Sequence, residues 1–277
     1  MNSDGDRLSP AIMGILNCTP DSFSDGGVWQ GEAAVDHALA MAEQGAAWID
    51  VGGESTRPGA AAVPPAEQLR RVLPVVRRLA DQLDASRCAI SIDTASAEVA
   101  TAALDAGAAM VNDISAGADE QMAAVVRARH ARWCLMHMQG RPATMQDDPR
   151  YHDVVVEVIS CLSARRDAAE RAGVPREALL VDPGIGFGKA TAHNMALLRA
   201  LPRIASQTAC PVLVGLSRKR FIADLLGRAL PPGERDHPSH VLHALIAEGC
   251  SVLRVHDVAG AVEACRLASA LASKDSA

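Results

Sequence analysis

The sequence predicts an α/β protein, a single-domain (β/α)8 TIM barrel, and three observations predict it. The chain is 277 residues long, short apolar strings alternate with amphipathic stretches throughout, and eight such strings can be counted. A barrel of this class occupies about 250 residues. Apolar residues make up 49% of the chain, enough for a sizeable core, while the charged fraction of 22% is ordinary.

The strand candidates are, in order, Ala11–Leu16, Trp48–Val51, Cys88–Ile92, Met110–Val111, Trp133–Met136, Leu179–Val181, Pro211–Val214 and Ser251–Val255. Ala-rich amphipathic stretches lie between them, among them Glu32–Gln44, Pro65–Leu83, Ala97–Ala106, Asp153–Ala172 and His240–Glu248. Strand followed by helix, repeated, implies right-handed crossovers and a parallel sheet. A doubly wound open sheet shows the same alternation with fewer units, so the count favours a closed barrel. No linker or composition break divides the chain: residues 11–272 read as the barrel, 1–10 as a flexible N-terminus and 273–277 as a tail.

Composition narrows the function. Three Trp, three Phe and one Tyr are too few rings for a nucleic-acid stacking platform, and a net charge of −6 repels phosphate backbones. Nucleic acid is not an expected partner. The seven cysteines form no C-x-x-C pair and are odd in number, which reads as reduced thiols in a cytoplasmic protein. Met1–Pro10 lacks the apolar core of a signal peptide, and no apolar run reaches membrane-spanning length, so no membrane association is expected.

The segments at the strand ends are more specific. Strand one runs into Asn17-Cys18-Thr19-Pro20-Asp21-Ser22-Phe23-Ser24-Asp25-Gly26-Gly27, and strand two into Gly52-Gly53-Glu54-Ser55-Thr56-Arg57-Pro58-Gly59. Strand three meets Asp93-Thr94, strand four Asn112-Asp113, strand five His137-Met138-Gln139-Gly140, strand six Asp182-Pro183-Gly184 and strand seven Ser217-Arg218-Lys219. Strand eight carries Arg254 and His256 at alternate positions, hence on one face. In a barrel these ends share one rim, where polar groups converge on a bound small molecule. Any one of them alone reads equally well as a loop or cap residue, and Asp93 and Asp113 are good helix-cap candidates.

Several familiar motifs fail on inspection. Gly184-Ile185-Gly186-Phe187-Gly188-Lys189 is one residue short of a P-loop, has Ala190 where Ser or Thr must stand, and lacks dinucleotide-loop spacing. Gly215-Leu216-Ser217-Arg218-Lys219 lacks the second glycine of a nucleophile elbow. No H-E-x-x-H or Cys/His cluster suggests zinc.

Taken in order, the rim segments resemble the dihydropteroate synthase family. The strings 13–17, 19–27 and 50–59 resemble its two signature loops, and Ser91-Ile92-Asp93-Thr94, Val111-Asn112-Asp113, Leu135-Met136-His137-Met138-Gln139-Gly140, Asp182-Pro183-Gly184, Gly215–Lys219 and Arg254-Val255-His256-Asp257 continue the likeness. The match spans residues 11–265. Cys18 departs from the family's usual aliphatic residue, and Arg235-Asp236-His237-Pro238-Ser239 replaces a more usual Gly/Ser-containing approach to the last large helix.

The resemblance implies a transferase joining a pterin diphosphate to p-aminobenzoate, with Mg²⁺ as cofactor and a homodimeric assembly. It assigns the pterin to Asp93, Asn112, Asp182, Lys219 and Arg254, and the diphosphate to Asn17, Arg57, Arg254 and His256, with Asn17 as the metal contact. Phe23, Thr56, Pro58, Phe187, Ser217 and Lys219 shape the p-aminobenzoate slot. Asp21, Asp25, Lys219, Arg254 and His256 carry the catalytic roles, the first two by offsetting a pterin methylene cation. The rival readings are a pterin-dependent methyltransferase domain and a non-catalytic pterin-binding paralogue. Thr56-Arg57-Pro58 and the Lys219, Arg254 and His256 group favour the synthase over the first, and the two intact loops with the whole anion site favour it over the second.

Overall fold

A computed structural model describes residues 9–19, 29–55, 62–142 and 144–272. Its strands are β1 (Ala11–Asn17), β2 (Trp48–Gly52), β3 (Ala89–Asp93), β4 (Met110–Asp113), β5 (Arg132–Met136), β6 (Leu179–Asp182), β7 (Leu213–Val214) and β8 (Val252–Val255). The helices among the described residues are α1 (Trp29–Glu43), α2 (Pro65–Gln82), α3 (Ala97–Asp105), α4 (Met122–Ala128), α5 (Val154–Arg171), α6 (Thr191–Arg199), α7 (Leu201–Thr208), α8 (Arg220–Leu225), α9 (Asp236–Ile246) and α10 (Val258–Ala272). Each expected strand is present. Helix α9 begins at Asp236 rather than His240, with Pro238 in its first turn, where a missing amide costs no intrahelical bond.

The strands run parallel in the order β6-β5-β4-β3-β2-β1-β8-β7. One bridge between Val181 and Val212 closes β7 onto β6, with the Val181 amide donating to the Pro211 carbonyl at 3.0 Å. That seam is narrow, and β7 shorter than the sequence suggests, because Pro211 has no amide to give the ladder. The architecture is a single (β/α)8 barrel.

Alternation along the strands divides the core in two. Outward residues such as Leu16, Ile49, Val51, Ile92 and Val111 join the large cluster beneath the helices. Inward residues Met13, Met110, Cys134, Leu180, Leu213 and Val252 pack into a separate apolar floor, with Trp48 against it. Two positions further along the same inward faces the chemistry changes. Trp48 is followed by Asp50, Met110 by Asn112, Leu180 by Asp182 and Val252 by Arg254. The floor therefore supports a layer of polar side chains at the C-terminal mouth. Among the described residues, no helix is long and apolar enough to cross a membrane.

Candidate active site

The centre of the mouth is built on Arg254. Its Nε donates to Asp50 Oδ2 at 2.6 Å and its Nη2 to Asp93 Oδ2 at 2.7 Å, while Asn112 Nδ2 donates to the same Asp50 oxygen at 2.9 Å. Side chains from four strands are thereby locked into one layer of donors and acceptors. Burial works against the charge on Arg254, but Asp50 and Asp93 outweigh it and hold its pKa above the ordinary value. For Asp93 the balance goes the other way. Burial lifts its pKa to about 7, Arg254 opposes this, and Asp50 and Asp113 add to the rise. One guanidinium cannot neutralise two buried carboxylates.

Across the mouth stand Asp182 and Lys219. Asp182 accepts the Gly184 amide on Oδ1 at 2.7 Å, and its pKa is raised by burial despite Lys219 nearby. Lys219 Nζ donates to the Ile185 carbonyl and lies 4.2 Å from the centre of the Phe187 ring. Burial brings its pKa down to about 7, against the pull of Asp182.

The loop carrying Ile185 and Phe187 explains the glycine pattern that no nucleotide motif accounts for. Gly184, Gly186 and Gly188 all have positive φ, and Cβ atoms on Gly184 and Gly188 would run into the carbonyl oxygens of His137 and Gln139. The glycines thus let one loop lie flat on the end of β5. Lys189 bolts it down, its Nζ reaching His137 Nδ1 at 3.0 Å, the His137 carbonyl at 3.3 Å and the Phe187 carbonyl at 2.9 Å. Tyr151 adds a bond to the Gly188 carbonyl at 2.9 Å. At the β8 end, the Ser217 hydroxyl meets His256 at both its amide (3.2 Å) and Nδ1 (3.1 Å).

Comparison with known proteins shows the family of the chain. The family described as pterin binding enzyme matches residues 13–256. The dihydropteroate synthase of Mycobacterium leprae is 46% identical over 272 residues, covering 95% of this chain and 94% of the relative. The chain belongs to the dihydropteroate synthase family. Among solved structures, Xanthomonas albilineans dihydropteroate synthase with 4-aminobenzoic acid superposes with a TM-score of 0.89 at 48% identity, over 97% of this chain and 95% of the other. The same enzyme in complex with 7,8-dihydropteroate gives a TM-score of 0.85 at 44% identity, over 97% and 96%. Family membership makes this chain a transferase of folate biosynthesis.

Of the residues that family resemblance assigns, Asp93, Asn112, Asp182, Lys219, Arg254, Phe187, Ser217 and His256 surround the mouth as above, and Asn17 ends β1 beside Gly52, itself in register with Asp93. Asp21, Phe23, Asp25, Thr56, Arg57 and Pro58 lie outside the described residues. Two alternatives raised from sequence are corrected. Asp93 caps no helix: α3 is capped by Ser96, and Asp119 takes the Ala97 amide. Asp113 braces its own loop instead, accepting from Ser115, Gly117 and Trp133. Sequence reasoning missed Asp50, His137 and Lys189. A signal existed for Asp50, since it is a carboxylate at an inward position of a strand and is fully buried.

The residues present fit a magnesium ion only in part. Asn17 offers one hard amide oxygen, and among the described residues no group of three or more His, Cys, Asp or Glu could hold a metal. An ion at Asn17 must bring most of its oxygen ligands as water and phosphate, which suits Mg²⁺.

Proposed function

We propose that the described mouth binds 6-hydroxymethyl-7,8-dihydropterin diphosphate and p-aminobenzoate and joins them, giving 7,8-dihydropteroate and diphosphate. The observation that carries the reading is the polar layer above the floor, in which Asp50 and Arg254 orient Asp93 and Asn112 while Lys219 faces Asp182. With its amide nitrogen committed to Asp50, Asn112 presents its carbonyl to the pterin N–H edge. Asp182 retains lone pairs for the adjacent amino group and ring N–H, and Lys219 donates to the ring oxygen and N5. The planar guanidinium of Arg254, held by two carboxylates, lies against the ring face.

Asn17, Arg57, Arg254 and His256 receive the diphosphate. Magnesium, bound with that substrate at Asn17, supplies neutralisation of the leaving charge. Phe23, Thr56, Pro58, Phe187, Ser217 and Lys219 enclose p-aminobenzoate. Its amine is a weak nucleophile. An SN1-like course relieves this: the C–O bond breaks first, Asp21 and Asp25 offset the methylene cation, and the amine then forms the C–N bond and gives its proton to the released diphosphate. The protein acts in the cytoplasm as a homodimer, and exposed Leu225, Val241, Leu245 and Leu267 on α8, α9 and α10 support the second part of that reading.

Substrate labelled with ¹⁸O at the bridging oxygen tests the course of the reaction. Without p-aminobenzoate, the label moves into non-bridging positions, and Asp21→Asn or Asp25→Asn slows this while pterin binding persists. Diphosphate exchange without scrambling would make direct displacement the better account.

A further inference from the structure

Arg218 sits between Ser217 and Lys219 with φ of 60°, in the left-handed region that residues with a Cβ seldom occupy. Its amide, its carbonyl and its guanidinium are all bound to one short segment. The amide donates to Ser239 Oγ at 3.1 Å, and the carbonyl accepts from Arg235 Nη1 at 2.9 Å. The guanidinium forks onto Asp236, Nε to Oδ1 at 2.6 Å and Nη2 to Oδ2 at 2.8 Å. Ser239 is fully buried and its hydroxyl donates to the Arg235 carbonyl at 2.5 Å, while Arg235 Nε holds the Leu230 carbonyl at 2.8 Å. The segment thus closes a ring of hydrogen bonds around one strained residue.

That segment is the stretch that departs from the family's usual approach to the last large helix. None of its five positions is among the residues that the family resemblance assigns to the site, yet it grips the residue between two of them. On one side of Arg218, Ser217 meets His256. On the other, Lys219 leads into α8 and reaches back to Ile185 and Phe187. Rotating Arg218 into the right-handed region would redirect the chain, and Ser217 and Lys219 could not both keep their partners.

We propose that Arg235, Asp236 and Ser239 form a positioning clamp that holds Arg218 left-handed and thereby sets Lys219 and Ser217 in the site without touching substrate. The proposal rests on the reading of those two residues as substrate contacts.

Two substitutions at one position test it. Arg218→Ala and Arg218→Gly lose the same ion pair, but only glycine adopts φ of 60° freely. Arg218→Ala should lower kcat/KM for p-aminobenzoate by about tenfold or more, since small misplacements of a site group are costly. Arg218→Gly should retain most of the activity although its melting temperature falls too. Equal activity of the two folded variants overturns the clamp, because an ion pair that merely stabilises the fold makes no distinction between them. Should Arg218→Ala fail to fold, Asp236→Asn with and without Arg218→Gly asks the same question. Activity should fall with Asp236→Asn alone and recover when glycine is added, and no recovery counts against the proposal. Lys219→Met is the control for the underlying reading: unchanged kcat/KM there would reject Lys219 as a substrate contact and leave the clamp without a target.

Discussion

At Arg254 one guanidinium serves two carboxylates, and the excess negative charge shows in Asp93, whose pKa is lifted to about 7 by burial with Asp50 adding to it. Lys219, brought down to about 7 by its own burial, titrates over the same range with the opposite demand. On the proposed reading of the mouth, Asp93 must be ionised to accept from the pterin, and Lys219 must be protonated to donate to it. Pterin diphosphate affinity in the free enzyme should therefore peak near neutrality and fall on both sides by up to about tenfold per pH unit. Titration calorimetry on Lys219→Met should show the alkaline fall gone and the acid fall kept; a persistent alkaline limb would assign it elsewhere. The sign for stability differs. The folded pKa values of Lys219 and Lys189, both about 7, lie below the unfolded lysine value of 10.5, so the unfolded chain binds more protons between them. Their contribution to stability rises with pH through that window.

The β6–α6 loop shows how an element is chosen by contact rather than by ligand. Its three glycines have the look of a phosphate cradle, yet two of them are required because the loop lies against the backbone of residues 137–139. Gly227 supplies the comparison: it also has positive φ, at 64°, but a Cβ there meets nothing within 4 Å. Gly227→Ala should cost only the left-handed penalty, about 1–2 kcal/mol. Gly184→Ala should cost more and should also raise KM for p-aminobenzoate, because the loop must lift and take Phe187 with it. Denaturant unfolding and steady-state kinetics on the pair check this. Equal unfolding costs would mean that the close approach to His137 carries no weight.

At the scale of the whole molecule, α9 bears on two of the proposals. Its first turn carries Asp236 and Ser239 of the clamp, while Val241 and Leu245 leave 49% and 75% of their surface exposed. Beside them a groove of about 290 Å³ runs between Leu225, Leu226, Pro238 and Val241. Solvent is a poor environment for so much apolar surface on adjoining helices, and a second copy would cover it. Val241→Glu with Leu245→Glu should shift sedimentation from dimer to monomer. A wild-type protein that sediments as a monomer at micromolar concentration would remove the homodimer reading altogether.

Much of the barrel and its rim is legible in the sequence, for a local reason. Strand alternation has period two, so the step from Met110 to Asn112, Leu180 to Asp182 and Val252 to Arg254 already puts floor and polar layer on one face, and counting units predicts the barrel. The family likeness of the rim segments is legible too, because each loop is continuous in sequence. The features that stay hidden depend on partners far apart in the chain. Arg254 meets Asp50 across 204 residues, and Lys189 meets His137 across 52. No spacing rule reaches that far, so Asp50 reads as part of a strand and Lys189 as the end of a failed P-loop. The left-handed turn at Arg218 is equally invisible, since nothing in Ser217-Arg218-Lys219 demands it and its partners lie in residues 235–239. The residues determine which groups reach the mouth of the barrel; the tertiary structure decides which of them are charged, which are held, and by what.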